Sequence, residues 1–365
     1  SLLASAQEPL HGDSLASDFR YQVKELAATH PDPYSGFGGK VFFYEQAFHL
    51  ENELRRTPGT KQTFFDKVSI FLSNLQDEHT YLLPPTANQQ ANQRYLALEV
   101  RTIPDGILLQ GIPETYIDLL GSRITTINGD SLEEVLARTA AIQASENLYD
   151  RYANLCRSMP TEHFLRQLFP EMKDNLHLSL LTPDGKSRGL TLPLLSRQEV
   201  QNTPMQHNNS WKAYTDKQLA YQFIDNDKQI MLININSIMA RDNFEYMQKQ
   251  GLKDLYRQIG FYYRDILKQD MPADTLQAIR MKKEASSTLI IDLRNNSGGW
   301  TPIVLPTLYQ LFGDHFLQTD MDIEFYRIIS PLYMQKLQTN LQDFNQAYGT
   351  DYAYGDYTFS TDEAD

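Results

Sequence analysis

Apolar residues in the first eighty positions recur at helical spacing. Phe19, Val23, Leu26 and Ala27 fall at i, i+4, i+7 and i+8, one face of an amphipathic helix. His30-Pro31-Asp32-Pro33-Tyr34 ends that helix, because proline lacks a backbone donor and restricts the residue before it. A second run carries Phe42, Phe43, Ala47 and Leu50. A third carries Phe64, Phe65, Val68, Phe71 and Leu72, with Thr60 or Thr63 available as its cap. Three helices closed by Pro84-Pro85 are predicted. From about Tyr95 to Leu195 the period shortens to that of strands. Leu96, Leu98 and Val100 alternate, and Asp105-Gly106 turns the chain into Ile107-Leu108-Leu109. A short strand then ends at Asn128-Gly129, and Ser131 caps a helix with Glu133 and Glu134 in its first turn. Leu176–Leu181 and Leu190–Leu195 pair through Pro183-Asp184-Gly185-Lys186, and 201–210 reads as a polar linker. Beyond it, Ala220–Phe223 and Ile230–Ile235 read as strands, followed by a long helix over 243–267. The β-branched run Thr288-Leu289-Ile290-Ile291-Asp292 predicts a strand buried on both faces. No apolar periodicity marks Tyr348 to Asp365.

These patterns describe an α+β multidomain protein. Residues 1–12 read as an export-signal remnant or disordered start, 13–90 as an N-terminal helical domain and 91–200 as a β-rich module. Residues 211–365 read as an α/β core that is incomplete at its C-terminus. Composition narrows the classes further. The 365 residues are 41% hydrophobic and 11% aromatic, which supplies packed cores and excludes a disordered chain. A net charge of −13 argues against nucleic-acid binding. No run of about 18 apolar residues exists to span a membrane. Cys156, the one cysteine, allows no internal disulfide. Ala4-Ser5-Ala6 behind two leucines has the form of a signal-peptide cleavage site, so a secreted or periplasmic (cell-envelope) location is expected.

Two stretches carry chemistry. Asp292-Leu293-Arg294-Asn295-Asn296-Ser297-Gly298-Gly299 puts paired glycines at the carboxyl end of an apolar strand, where ligands of α/β sheets bind. Bare backbone N–H groups there suit an oxyanion hole, although an ordinary βα turn favours the same residues. In Asp77-Glu78-His79-Thr80 a histidine follows two carboxylates, whose charge favours an imidazolium; a solvated helix end is the plainer alternative. The other seven histidines (His11, His30, His49, His163, His177, His207 and His315) show no ligand spacing, so neither a metal nor a cofactor is expected.

Taken in order, His30-Pro31-Asp32-Pro33-Tyr34, Asp77-Glu78-His79-Thr80, Ile127-Asn128-Gly129-Asp130 and the stretch from Leu289 to Gly299 resemble one family. It is the tail-specific, or C-terminal processing, serine protease family, which also contains the tricorn core peptidase and retinoid-binding relatives. The resemblance runs from about Phe19 to Gly299. It implies a helical domain, a PDZ-like module and an α/β core of the crotonase and Clp protease kind, with a serine nucleophile, no metal, and a peptide or unfolded protein as substrate. In the tricorn-like branch the histidine of the Asp-x-His-Thr element is the general base, which falls on His79. The oxyanion-hole amide falls on Gly298 or Gly299. The family's serine follows the Gly-Gly pair by several dozen residues, after an apolar strand. Ser360 is the candidate within the chain and lacks such a strand, so the nucleophile is expected beyond Asp365. The PDZ-like module is degenerate, without a Gly-Leu-Gly type carboxylate loop. The sequence thus predicts a serine endopeptidase acting by acyl transfer. The alternative is a non-catalytic peptide or small-ligand binding protein on the same scaffold, and the oligomeric state is open.

Overall fold

A computed structural model of the chain describes residues 10–83, 93–208, 219–225, 229–236, 286–296, 298, 305–319 and 325–360. Ala4-Ser5-Ala6, Pro84-Pro85, the helix expected over 243–267, Ser297 and Gly299 lie outside the described residues. The chain forms two compact units, one from 1–208 with 324–365 and the other from 209–323. Among the described residues there are several sheets and eleven α-helices, a mixed α/β architecture.

The first unit begins with helices α1 (Gly12–Thr29), α2 (Lys40–Arg56) and α3 (Lys61–Ser73). Their shared face is aromatic: Phe37 and Phe71 lie 4.8 Å apart between ring centres, and Phe19 meets Phe71 edge-on at 5.1 Å. Such contacts add to the burial of rings that leave almost no surface to solvent. Thr60 caps α3 by accepting from the Thr63 amide. Pro31 holds His30 extended at the end of α1, and a 3-10 turn over Ser35–Phe37 follows. Gly36 in that turn lies against the end of α3. A Cβ there would stand 2.0 Å from the Asn74 carbonyl oxygen, so a side chain would force the turn off the helix end.

The β-rich part runs β1 (Arg94–Tyr95), β2 (Glu99–Ile103), β3 (Gly106–Pro113), β4 (Arg123–Ile127), β5 (Asp130–Ser131), α4 (Leu132–Ile142), α5 (Leu148–Ser158) and α6 (Glu162–Leu168). It continues with β6 (Asn175–Leu181), β7 (Ser187–Pro193), β8 (Leu195–Ser196), α7 (Arg197–Asn202) and β9 (Met205–His207). The main antiparallel sheet has the order β2-β3-β4-β6-β7, with β5 on β4 and β9 on β3. Both expected hairpins form, β2–β3 at Asp105-Gly106 and β6–β7 over the Pro183 turn. Strand β6 alternates strictly, burying Leu176, Leu178 and Leu180 against Leu155 and Leu165. Ser131 caps α4 in a reciprocal box with Glu134. The expected polar linker is structured as far as Asn208. Ser196 and Glu199 make a second capping box that starts α7, and Met205–His207 pairs with β3.

In the second unit β10 (Leu219–Asp225) runs antiparallel to β11 (Ile230–Ile235), and β12 (Thr288–Asp292) runs parallel to β11. Helices α8 (Leu305–Phe312) and α9 (Asp314–Leu317) follow. Leu311 packs with Met231, Ile233 and Ile235 on one face of this sheet. Ile290 and Ile291 are each 40% exposed, so β12 is not the doubly buried strand that its composition predicts. Among the described residues β12 sits at the edge of the three-stranded sheet.

The last segment returns to the first unit with β13 (Phe325–Ile328), α10 (Pro331–Lys336), α11 (Leu341–Tyr348) and β14 (Tyr357–Ser360). Strands β13 and β14 pair antiparallel, Phe325 opposite Ser360, where the sequence shows no strand pattern. Tyr357 then donates from its hydroxyl to the Pro31 carbonyl at 2.5 Å.

One ion pair ties α6 to α3. His163 Nε2 lies 2.9 Å from Asp66 Oδ1, half-buried. The Asp66 hydrogen bond outweighs burial and holds the imidazole above its ordinary 6.5. A raised folded pKa means that this stabilisation is full below the unfolded value and is lost as pH rises through the folded one. His163→Ala is therefore expected to lower the melting temperature most at pH well below 6.5, with the gap to the parent shrinking as pH rises. Circular-dichroism melts across that range check it; a gap that grows with pH contradicts the pair.

Candidate functional site

His79 sits just past α3, on a loop built around the Asp77 carboxylate. Gln76 enters it in a left-handed conformation with φ +56° and turns the chain off the helix. Asp77 Oδ1 accepts from the His79 backbone N–H at 2.9 Å. Asp77 Oδ2 accepts from the Thr80 hydroxyl at 2.5 Å and pairs with His30 Nε2 at 3.1 Å. The Asp32 amide donates to His30 Nδ1 at 3.1 Å, which assigns the neutral ring as the Nε2–H tautomer, donating to Asp77. Burial pushes the Asp77 carboxyl up. The hydrogen bonds from Thr80, the His79 backbone and His30 outweigh it, and the group lies below the usual carboxylate range.

The His79 ring is 88% exposed. Its Nδ1 stands 3.8 Å from Asp77 Oδ1 and 3.5 Å from Glu146 Oε1. Glu146 comes from the loop between α4 and α5. Buried Asn154 fixes that loop by donating to the Ala144 carbonyl at 2.8 Å and to Ser145 Oγ at 3.2 Å. Ser73 Oγ donates to the Ala141 carbonyl at 3.0 Å and joins the end of α3 to the end of α4. Glu78 next door accepts from Arg157 at 3.4 Å. Burial, and then the charge of Asp150, push its carboxyl up against that guanidinium. Sequence reasoning missed Glu146, because no local spacing relates it to His79. It also took His30 only as part of a helix stop and of the family pattern, although Asp32, two residues on, supplies one of that ring's partners and distant Asp77 the other.

The glycine motif belongs to the second unit. At the end of β12 the Arg294 guanidinium, with both contacts at 2.8 Å, takes buried Asp292 down to about 2 against the effect of burial. Asn234 adds a contact at 3.3 Å from β11. Asn296 donates to the Ile235 carbonyl at 3.0 Å and accepts from the Gly298 amide at 2.6 Å. Gly298 has φ +80°, the left-handed region that favours glycine. Its N–H is thus engaged within its own turn. A groove of about 620 Å³ between α1 and α2, lined by Val23, Ala27, Tyr44 and Phe48 among others, contains none of these residues.

The elements described above make up a mixed α/β fold. That fold is shared with solved structures of CPAF, a chlamydial serine protease. Mature CPAF complexed with lactacystin matches with a TM-score of 0.52 at 14% identity, over 93% of this chain and 66% of the other. Mature CPAF alone gives 0.51 at 14%, over 95% and 68%, and a Ser-to-Ala mutant gives 0.52 at 12%, over 95% and 69%. This chain therefore spans about two thirds of the length of the CPAF chains. At such identities the likeness is one of fold. No family model matches the chain, and no curated protein matches it.

Removing the Asp77 carboxylate strands three donors at once, one of them on half-buried His30. Asp77→Ala is expected to cost about 1–3 kcal/mol, the penalty for leaving such groups unmade. Urea unfolding of the two proteins measures it, and an unchanged midpoint contradicts the hub role of Asp77.

Proposed function

We propose that this chain is part of a serine endopeptidase that cleaves peptide or unfolded protein substrates by acyl transfer, with His79 as general base. The observation that carries the reading is an exposed imidazole whose Nδ1 faces two carboxylates, on a fold shared with the solved structures of CPAF. Asp77 and Glu146 orient the ring by its Nδ1 edge, which leaves Nε2 to take a proton from a serine hydroxyl, a weak nucleophile without such a base. The oxyanion amide falls on Gly298 or Gly299; for Gly298 it requires the N–H to leave Asn296. The finer parts of the reading are the tricorn-like use of histidine, a PDZ-like role for the β-rich module, a crotonase-like second unit and a secreted or envelope location. They rest on the sequence resemblance. The engaged Gly298 amide favours one second reading, a binding protein on the same scaffold.

Labelling of the complete gene product with a fluorophosphonate separates the two. The protease reading expects one labelled serine, identified by peptide mass spectrometry, and a labelling rate about 10²–10⁴-fold lower in His79→Ala. Absence of labelling supports the binding protein, and labelling that ignores His79→Ala overturns the assigned base.

A further inference from the structure

We infer that Asp77, His79 and Glu146 form a site for a divalent cation, with zinc the ion that their donors suit. One ligand atom from each lies within 4.8 Å of the other two. Ligands at 2.0–2.2 Å from a tetrahedral zinc are separated by roughly 3.3–3.6 Å. The His79 Nδ1 spacings of 3.5 Å to Glu146 and 3.8 Å to Asp77 already lie near those edges. Rotation of exposed Glu146 closes the remainder. Two carboxylates and a neutral imidazole present a charge of −2 to a dication, and imidazole with carboxylate is a donor set that zinc accepts.

The arrangement is held from behind, which separates it from a chance surface cluster. His30 and Thr80 occupy Asp77 Oδ2, and Oδ1, which accepts from the His79 backbone N–H, is the oxygen 3.8 Å from His79 Nδ1. Asn154 pins the Glu146 loop. Hydrogen bonds of this kind, behind the ligands, are what orient a metal site. Among the described residues no other group of three or more His, Cys, Asp or Glu side chains converges this way. Three protein ligands leave a fourth position to water on the exposed side. The histidine spacings in the sequence give no hint of it, because the third ligand arrives from another loop.

A consequence for regulation rests on His79 being the base; the site itself does not. A neutral imidazole that binds metal through Nδ1 carries its proton on Nε2 and cannot accept another there. Bound zinc would therefore switch off the proposed proton transfer, and removing it would restore the base.

Titration calorimetry of zinc chloride into the purified 365-residue chain, in a non-chelating buffer, tests the site without any activity. One ion per chain is expected. Affinity should fall about 10–100-fold in Glu146→Gln and in His79→Ala. It should be unchanged in His207→Ala, whose ring meets the single carboxylate of Glu99 at 3.1 Å. Glu146→Gln keeps the side-chain shape at an exposed position, and its circular dichroism should match the parent. No saturable binding, or binding indifferent to both ligand variants, overturns the proposal. Fluorophosphonate labelling with and without zinc then addresses the protease reading separately, since failure to label the metal-free protein would leave the calorimetry standing.

Discussion

The carboxylate of Asp77 joins parts of the chain that local structure would leave apart. It receives His30 from the end of α1, the amide of His79 and the hydroxyl of Thr80. Pro31 makes the first contact possible by ending the helix and holding His30 extended, and the Asp32 amide then selects the tautomer that donates. The same corner is clasped from the far end of the sequence by the Tyr357 hydroxyl on the Pro31 carbonyl. The geometry of His79 depends on this carboxylate more than on the helix that precedes it. Its ring is almost wholly in solvent, and its backbone N–H is bound to Asp77.

Local chemistry made much of the fold readable. The i, i+4 spacing from Phe19, the Asp105-Gly106 turn, the alternation in Leu176–Leu180 and the Ser131 cap each state a conformation within a few residues, and each is present. What escaped is what depends on distant partners. Strand β14 exists because Phe325–Ile328 lies beside it, and β9 because β3 has an edge to offer. The capping box at Ser196 and Glu199 is local and was legible, yet the polar composition around it hid the helix. The strand over Thr288–Asp292 was read correctly as a strand and wrongly as doubly buried. Its β-branched residues report β-propensity, and burial is decided by which layers cover the sheet.

The candidate site divides the same way. His79 was visible from its acidic neighbours and from the family resemblance. Glu146 was invisible, since its approach depends on Ser73 and Asn154 drawing the α4–α5 loop to the end of α3. The glycine motif was visible as a composition, whereas the engagement of the Gly298 amide by Asn296 is a conformational fact that no residue list contains. A pair of carboxylates around one imidazole edge is compatible with both a poised base and a cation site. The two proposed uses need opposite tautomers of the ring: a base accepting at Nε2 keeps its proton on Nδ1, whereas a cation on Nδ1 leaves the proton on Nε2.

The central claim is that the hydrogen bond from His30 to Asp77 organises the His79 loop. Nitrogen-15 NMR of selectively labelled histidines reads it directly. The account predicts that the neutral His30 ring is the Nε2–H tautomer, and that Asp77→Asn moves both the His30 and the His79 ring resonances. A neutral His30 ring protonated on Nδ1, or a His79 signal indifferent to Asp77→Asn, would contradict it.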